Sequence, residues 1–171
     1  MEYLLGIDIG TSGTKTVLFD RDANPITAKT FEYPLYQEQN GWAEQEPADW
    51  WNAVVQGVQA VLQASGVDVA DIKGIGLSGQ MHGLVTLDEN DQVIRPAILW
   101  NDGRSQKETE YLNNEIGKDK LSAYTANIAF TGFTAPKILW VKKNEPENFA
   151  KITKIMLPKD YLAYCLSGSF C

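Results

Sequence analysis

Cysteine and histidine are nearly absent from this sequence. Its 171 residues contain two cysteines, Cys165 and Cys171, and a single histidine, His82. The two cysteines lie near the end of the chain and lack the spacing of metal ligands. A cysteine-based metal site is therefore excluded, and we expect both thiols to be reduced and to have no structural role.

Long apolar runs and basic clusters are also missing. No stretch approaches the roughly 20 apolar residues that a membrane-spanning helix needs, and the N-terminus lacks a basic region followed by an apolar core. Lysine and arginine are scattered, and the net charge is −7, so no basic stripe is available for nucleic acid. We expect a cytoplasmic protein with neither membrane nor nucleic-acid partners.

The composition is that of an ordered globular chain. Hydrophobic residues make up 44% of the sequence, and 171 residues suffice for one domain with a core. Predicted strands come first and then alternate with predicted helices, without an internal repeat. This order indicates the α/β class.

A glycine-rich turn near the N-terminus is the first candidate site. Apolar runs at residues 4–9 and 16–20 predict two strands around this turn. Its glycines let the backbone adopt positive φ and approach an anion, while hydroxyl groups and a lysine add donors and charge. Asp8, at the end of the first strand, is placed to hold a hydrated Mg²⁺. The turn residues, which we predict to bind the phosphates of a nucleotide, are Gly10, Thr11, Ser12, Gly13, Thr14 and Lys15.

An ordinary hairpin is the competing interpretation, since turns of glycine, serine and threonine are common between strands. A Walker loop is excluded because Thr14, not glycine, precedes Lys15. The turn together with Asp8 at the start of the chain resembles the first phosphate motif of the actin-like ATPase superfamily.

The rest of the chain predicts a series of short elements. Residues 105–117 are expected to form a helix opened by a capping box of Ser105 and Glu108, and Pro96 indicates an edge or bulged strand. The other predicted elements are a strand at 26–33, a surface loop at 34–46, a helix from Pro47 to Ser65 with Trp50 and Trp51 in the core, strands at 72–79, 84–88 and 93–100, a buried strand at 152–157, and helices at 118–126, 136–143 and 158–166. Stacking on a sugar is the alternative for the two tryptophans.

The segment around His82 is the second candidate site. Gly74, Gly76 and Gly79 match a dinucleotide-binding pattern, but the pattern requires a following helix and an apolar strand follows instead. A lone histidine is often a packing residue, and that alternative stays open. Glycines on both sides of His82 leave space for a ligand, and Gln80 supplies an amide.

Six segments in this order resemble the FGGY family of carbohydrate kinases, in its xylulokinase branch, over nearly the whole chain. They are residues 10–13, 42–45, 79–83, 96–104, 132–137 and 157–162. The resemblance implies an actin-like, or ribonuclease H-like, α/β fold with a mixed sheet that opens with three antiparallel strands and is flanked by helices. It also implies Mg²⁺-dependent transfer of a phosphoryl group from ATP to D-xylulose, which gives D-xylulose 5-phosphate.

The resemblance also assigns site residues. Asp8 corresponds to the acidic residue of the phosphate loop that is important for activity, and Met81 and His82 correspond to the sugar-binding pair. Simple packing is nearly as good an interpretation for Trp100. The further residues expected to bind the sugar are Gln80, Trp100, Asn101 and Asp102.

One departure from the family concerns the general base, an aspartate that the family carries downstream of the motif at 157–162. Asp160 is not a candidate, because it lies in the first turn of a predicted helix, where a carboxylate complements the helix dipole. We therefore expect residues 1–171 to be the N-terminal part of the sugar-side domain, without the nucleotide-side domain and inactive alone. Alternatives left open are another FGGY sugar or sugar-acid kinase, a non-enzymatic actin-like binding module, and a homodimer of the full-length protein.

Overall fold

The computed structural model describes residues 1–170 as short strands and helices in mixed order. In chain order they are β1 (Tyr3–Ile9), β2 (Gly13–Asp20), β3 (Pro25–Glu32), β4 (Glu44–Gln45), α1 (Pro47–Ser65), β5 (Ile72–Gly79), β6 (Val85–Leu87), β7 (Ala97–Ile98), α2 (Gln106–Tyr111), α3 (Lys118–Thr125), α4 (Thr134–Asn144), α5 (Pro146–Phe149), β8 (Lys154–Met156) and α6 (Pro158–Ser167). A π-helical turn (Leu112–Gly117) follows α2, and a 3₁₀ turn (Val69–Asp71) precedes β5.

Contacts divide the chain into two units. The first contains Met1–Leu35, Pro47–Gln80 and the chain from Lys159 onward, and the second contains Tyr36–Glu46 and Met81–Pro158.

The first unit contains a four-stranded mixed sheet in the order β3-β2-β1-β5. Strands β1, β2 and β3 are antiparallel neighbours, whereas β5 pairs with β1 in parallel. Both the opening with three antiparallel strands and the strand at 72–79 are confirmed. Side chains alternate between the two faces of a strand, so Leu5, Ile7 and Ile9 of β1 are buried together on one face.

Helix α1 contacts β2 and β3. It begins at Pro47 and ends at Ser65, as predicted. Trp50 is fully buried, which confirms its core position, whereas Trp51 is only half-buried. Val61 of the helix packs with Leu5 and Leu18 of the sheet. The apolar stripe of the helix thus covers the apolar face of the hairpin.

The second unit is built on two short strand pairs, β4 with β7 and β6 with β8. Leu84, Ile98 and Val141 form its core cluster. The prediction of a surface loop at 34–46 is wrong at its end, because β4 is buried and pairs with β7. The paired residues of β4 and β7 are far apart in sequence, so a local sequence pattern does not predict that they meet.

Two predicted strands of this unit are shorter than expected. The strand at 93–100 is reduced to the two residues of β7, which follow Pro96 directly; proline lacks the N–H that a ladder needs. The strand at 152–157 is reduced to the three residues of β8, and its expected burial is wrong, since Ile155 is 43% exposed.

The predicted capping box is also wrong. Ser105 makes no side-chain cap, and its hydroxyl group donates instead to the carbonyl of Thr131 at 3.2 Å. Glu108 lies near the amine of Lys143, at 3.6 Å. Helix α2 ends at Tyr111, where the π-helical turn begins.

Helix α5 was not predicted, whereas the other remaining helices follow the predictions closely. Helices α3, α4 and α6 cover the predicted segments, and Asp160 lies in the first turn of α6. Cys165 is a free thiol, as expected, while Cys171 lies outside the described residues. No helix within residues 1–170 is both long and apolar enough to cross a membrane.

Candidate functional site

The glycine-rich turn between β1 and β2 is tightly closed. The N–H of Gly10 donates to the carbonyl of Gly13 at 3.0 Å. A Cβ added to Gly13 would lie 2.8 Å from the carbonyl oxygen of Phe31, so β3 passes too close for any side chain. Neither glycine has positive φ, so the predicted left-handed backbone is wrong and glycine is needed here for close approach.

Asp8 and Lys15 lie opposite each other beside this turn. They are cross-strand partners in the β1–β2 ladder, and both are exposed. Paired positions of an antiparallel ladder project from the same face of the sheet. The structure therefore puts the predicted acidic residue and the predicted basic residue of the phosphate loop on one face.

Tyr33 forms a hydrogen bond to the backbone of the turn, a role that the sequence did not predict. Its hydroxyl group donates to the carbonyl of Gly10 at 2.5 Å and accepts a hydrogen bond from Thr14 at 3.4 Å. The pKa of Tyr33 is raised above its ordinary value: burial is the largest cause, the Asp8 carboxylate adds to it, and the hydrogen bond from Thr14 acts against it. The phenol thus keeps the proton that it donates. An aromatic residue at the end of the predicted strand at 26–33 was the only available signal.

Gln80 joins the turn from the neighbouring strand. Because β1 and β5 are parallel, their carboxyl ends lie at the same edge of the sheet. The N–H of Gln80 donates to the carbonyl of Ile9 at 2.7 Å, and the Thr11 hydroxyl group donates to the Gln80 side-chain oxygen at 3.5 Å. The structure thus places Gln80 beside the phosphate turn.

His82 lies in the second unit with an unusual backbone and a stacked ring. Its φ is +64°, in the left-handed region. The imidazole stacks on Phe133 with ring centroids 4.3 Å apart. Together with Phe133, Leu121 and Ile128, His82 lines a cavity of about 500 Å³. Met81, the other member of the predicted pair, is 60% exposed.

The segment at 100–102 has two exposed side chains and one buried one. Trp100 and Asn101 are exposed, whereas Asp102 is buried. The Asp102 carboxylate accepts from the N–H of Ala43 at 2.6 Å and from the Arg104 guanidinium at 2.8 Å. Asp102 therefore organises this turn, and its predicted contact with the sugar stays a prediction.

A buried ion network joins two of the six resembling segments within the second unit. Arg104 pairs with Glu44 at 2.6 Å and lies over the Trp42 ring at 3.7 Å from its centroid. Glu44 also pairs with Arg95, which contacts Glu145 at 2.9 Å. Partners this far apart in sequence leave no local signal, so the sequence motifs do not predict the network.

The metal predicted from the sequence is Mg²⁺, at Asp8. Within residues 1–170 no three histidine, cysteine, aspartate or glutamate side chains come together as metal ligands. Mg²⁺ usually keeps several waters and needs one or two carboxylates together with substrate phosphates. A single exposed carboxylate such as Asp8, next to a phosphate-sized turn, fits that requirement.

Comparison with known proteins gives consistent matches. The N-terminal domain of the FGGY family of carbohydrate kinases matches residues 3–171. The chain is 44% identical to the xylulose kinase of Lactococcus lactis over 99% of the chain and 34% of that protein. The chain therefore spans about a third of the length of the curated relatives it matches.

Two solved structures show the same fold. A xyloylose kinase from Brucella ovis is 46% identical, with a TM-score of 0.90 over 95% of this chain and 34% of that one. A gluconate kinase from Lactobacillus acidophilus is 28% identical, with a TM-score of 0.91 over 99% of this chain and 34% of that one.

Proposed function

The chain belongs to the FGGY family of carbohydrate kinases, and we propose that the protein containing it phosphorylates D-xylulose to D-xylulose 5-phosphate. The observation that carries the substrate assignment is the 44% identity to a xylulose kinase over 99% of the chain. On this proposal residues 1–171 are the N-terminal part of the sugar-side domain, and the nucleotide-side domain lies elsewhere in the protein.

The phosphate turn is proposed to receive the terminal phosphates of the donor. ATP supplies the phosphoryl group, and a hydrated Mg²⁺ at Asp8 would neutralise charge on its oxygens. Lys15 adds a positive charge on the same face, and the hydroxyl groups of Thr11 and Ser12 lie in the turn itself. Tyr33 keeps the turn in place by binding the carbonyl of Gly10.

The His82 segment is proposed to orient the sugar. Phosphoryl transfer needs the attacking hydroxyl in line with the phosphorus atom, and a carboxylate to accept its proton. The imidazole of His82 can bind a sugar hydroxyl, and Met81 and Trp100 offer exposed apolar surface for the sugar carbons. We assign no proton acceptor to residues 1–170, since Asp160 lies in the first turn of α6 and pairs with Lys159.

A sugar-acid kinase is the second candidate function. The gluconate kinase from Lactobacillus acidophilus superposes as well as the xyloylose kinase does, although its identity is lower. Backbone shape therefore does not select the sugar, and the side chains at the sugar site must do so. A cytoplasmic location, where ATP is available, and a possible homodimer complete the proposal.

Substrate-dependent ADP formation tests the proposal. The full-length protein would be given ATP and Mg²⁺ with D-xylulose, D-ribulose, L-ribulose, glycerol or gluconate in parallel. A strong preference for D-xylulose in kcat/KM is the expected result. Preference for gluconate would transfer the assignment to the second candidate, and a folded protein without turnover on any acceptor would refute the kinase proposal.

A further inference from the structure

Lys137 is a fully buried lysine next to the candidate sugar site. It lies in the first turn of α4 and its side chain has 0% exposure. Its amine donates to the carbonyl of Gly132 in a short hydrogen bond, to those of Phe133 and Thr131 at 3.1 and 3.2 Å, and to that of His82 at 3.4 Å. One amine thus shares its three N–H groups among four carbonyl oxygens.

A buried ammonium group is costly unless its surroundings replace water. The pKa of Lys137 is lowered to about 8: burial is the largest cause, the Asp102 carboxylate acts against it, and Arg104 adds to it. The amine is therefore charged at pH 7, and its charge is met by carbonyl oxygens of an irregular segment. Charged donors form stronger hydrogen bonds than neutral ones, so Lys137 fixes the backbone of that segment.

The carbonyl of His82 is held from two sides. Besides Lys137, the hydroxyl group of Thr134 donates to it at 3.1 Å. His82 is not glycine, yet its φ is +64°. A left-handed conformation in such a residue persists only where the surrounding structure imposes it. The two donors on its carbonyl oxygen supply that constraint.

The Lys137 amine also binds the residue whose ring stacks on the imidazole of His82. The carbonyl of Phe133 accepts from Lys137, and the Phe133 ring stacks on His82 at an interplanar angle of 15°. Phe130 packs in turn against Phe133, with centroids 5.1 Å apart. Lys137 therefore links the backbone of His82 to the residue that orients its side chain.

We propose that Lys137 is a positioning residue that holds the backbone and the ring of His82 in the conformation that binds the sugar. The inference rests on the proposed function, in which His82 contacts the substrate. Lys137 itself does not contact the reacting atoms in this scheme. It acts through the orientation of His82 and Phe133.

The test replaces Lys137 with methionine, which has a similar length and no donor, in the full-length protein. We expect the Lys137→Met change to raise the KM for D-xylulose about tenfold, the cost of one lost charged hydrogen bond, and to leave the KM for ATP within about twofold. Lys142→Met is the matched control. Lys142 lies on the same helix and is exposed, so that variant should retain both KM values.

A spectroscopic readout reports on His82 directly. In histidine-labelled protein, the His82 Cε1–H resonance is identified by its loss in His82→Gln. Its stacking on Phe133 predicts an upfield ring-current shift, which Phe133→Leu should abolish. If Lys137 positions the ring, Lys137→Met should also reduce the shift, and Lys142→Met should not.

The outcomes separate this inference from the proposed function. A folded Lys137→Met variant with an unchanged KM for D-xylulose and an unchanged His82 resonance overturns the inference alone. If His82→Gln leaves the KM for D-xylulose unchanged, both the inference and the proposed role of His82 fail. If Lys137→Met does not fold, Lys137→Gln decides, because it keeps a polar side chain but removes the ammonium group that binds the four carbonyl oxygens; an unchanged resonance and KM in that variant would overturn the inference.

Discussion

Single residues at the proposed phosphate turn have distinct proposed tasks. Asp8 is exposed at the end of β1, where a carboxylate can bind a hydrated cation, while Tyr33 lies behind the turn and binds a backbone carbonyl. The first task concerns the ligand and the second concerns the shape of the turn. A change at Tyr33 therefore tests the shape without touching the charge.

Tyr33→Phe should loosen the phosphate turn. It removes the donor to the Gly10 carbonyl, so the free energy of unfolding should fall by about 1 kcal/mol and the KM for ATP should rise about fivefold. The KM for D-xylulose should not change. Steady-state kinetics and urea unfolding of the full-length protein measure these values, with the exposed Tyr124→Phe as the control. Equal KM values for ATP in both variants would contradict the prediction.

His82→Ala should remove sugar binding and preserve the fold. The imidazole is half-buried and its main protein contact is the Phe133 ring, so little stability depends on it. We expect kcat/KM for D-xylulose to fall about a hundredfold, with an unchanged circular dichroism spectrum. Unchanged kinetics would favour the interpretation of His82 as a packing residue.

Lys137 should make stability depend on pH in the alkaline range. Its pKa is lowered from 10.5 to about 8, so between these values the unfolded chain binds one more proton than the folded chain. Unfolding free energy therefore rises with pH in this window, by about 2 kcal/mol at pH 9.5 relative to pH 7. Lys137→Met should lack this rise.

The difference in unfolding free energy between wild type and Lys137→Met isolates the contribution of Lys137. Burial raises the pKa of Tyr161 and of Cys165, which opposes the trend at high pH in both proteins. Urea unfolding at pH 7, 8.5 and 9.5 measures the difference. A difference that is independent of pH would show that Lys137 titrates near its ordinary value.

At the scale of elements, helix α1 lies close to the sheet because it carries a glycine at the contact. A Cβ on Gly57 would lie 2.3 Å from the hydroxyl oxygen of Thr16 on β2. That hydroxyl group is buried and makes no hydrogen bond within residues 1–170. Threonine is stiff at χ1, so it cannot easily turn away.

Gly57→Ala should destabilise the first unit. Alanine gains about 1 kcal/mol of helix propensity, but the steric overlap should exceed it and leave a net loss of about 1–2 kcal/mol. Adding Thr16→Ala removes the closest atom and should recover part of the loss. Urea unfolding of the two single variants and the double variant measures the coupling, and additive effects would contradict the proposed contact.

At the scale of the whole molecule, the sheet of the first unit has an open edge and exposed apolar side chains beside it. Strand β5 is the last in the order β3-β2-β1-β5, and no other strand of residues 1–170 pairs with its outer edge. Leu4 on β1 is 42% exposed and Ile75 on β5 is 49% exposed, and the register puts them on opposite faces of the sheet. Open edges and apolar patches of this kind promote association.

The chain of residues 1–171 should therefore self-associate when produced alone. Sedimentation velocity at increasing concentration should show a growing oligomeric fraction. Ile75→Lys should reduce it, because the lysine places a charge on the edge strand, whereas Val69→Lys, outside the sheet, should not. A monomer at all concentrations would refute the prediction.

The sequence by itself determined the hairpin and helix α1, and it marked the two segments whose roles as sites stay predictions. Strand and helix periodicity act over a few residues, and glycine turns and a proline at a helix start are equally local. For this reason the strand at 72–79 could be separated from a dinucleotide loop, and the family resemblance could be read from short motifs.

Only the tertiary structure decided which groups meet. The Tyr33 hydroxyl group binds a carbonyl 23 residues away, the Asp102 carboxylate an N–H 59 residues away, and the Lys137 amine a carbonyl 55 residues away. The same reason accounts for the wrong capping box, since the Ser105 hydroxyl group donates to the carbonyl of Thr131, 26 residues away, and does not cap the helix. Pairings over such distances depend on how the whole chain packs, and no local pattern encodes them.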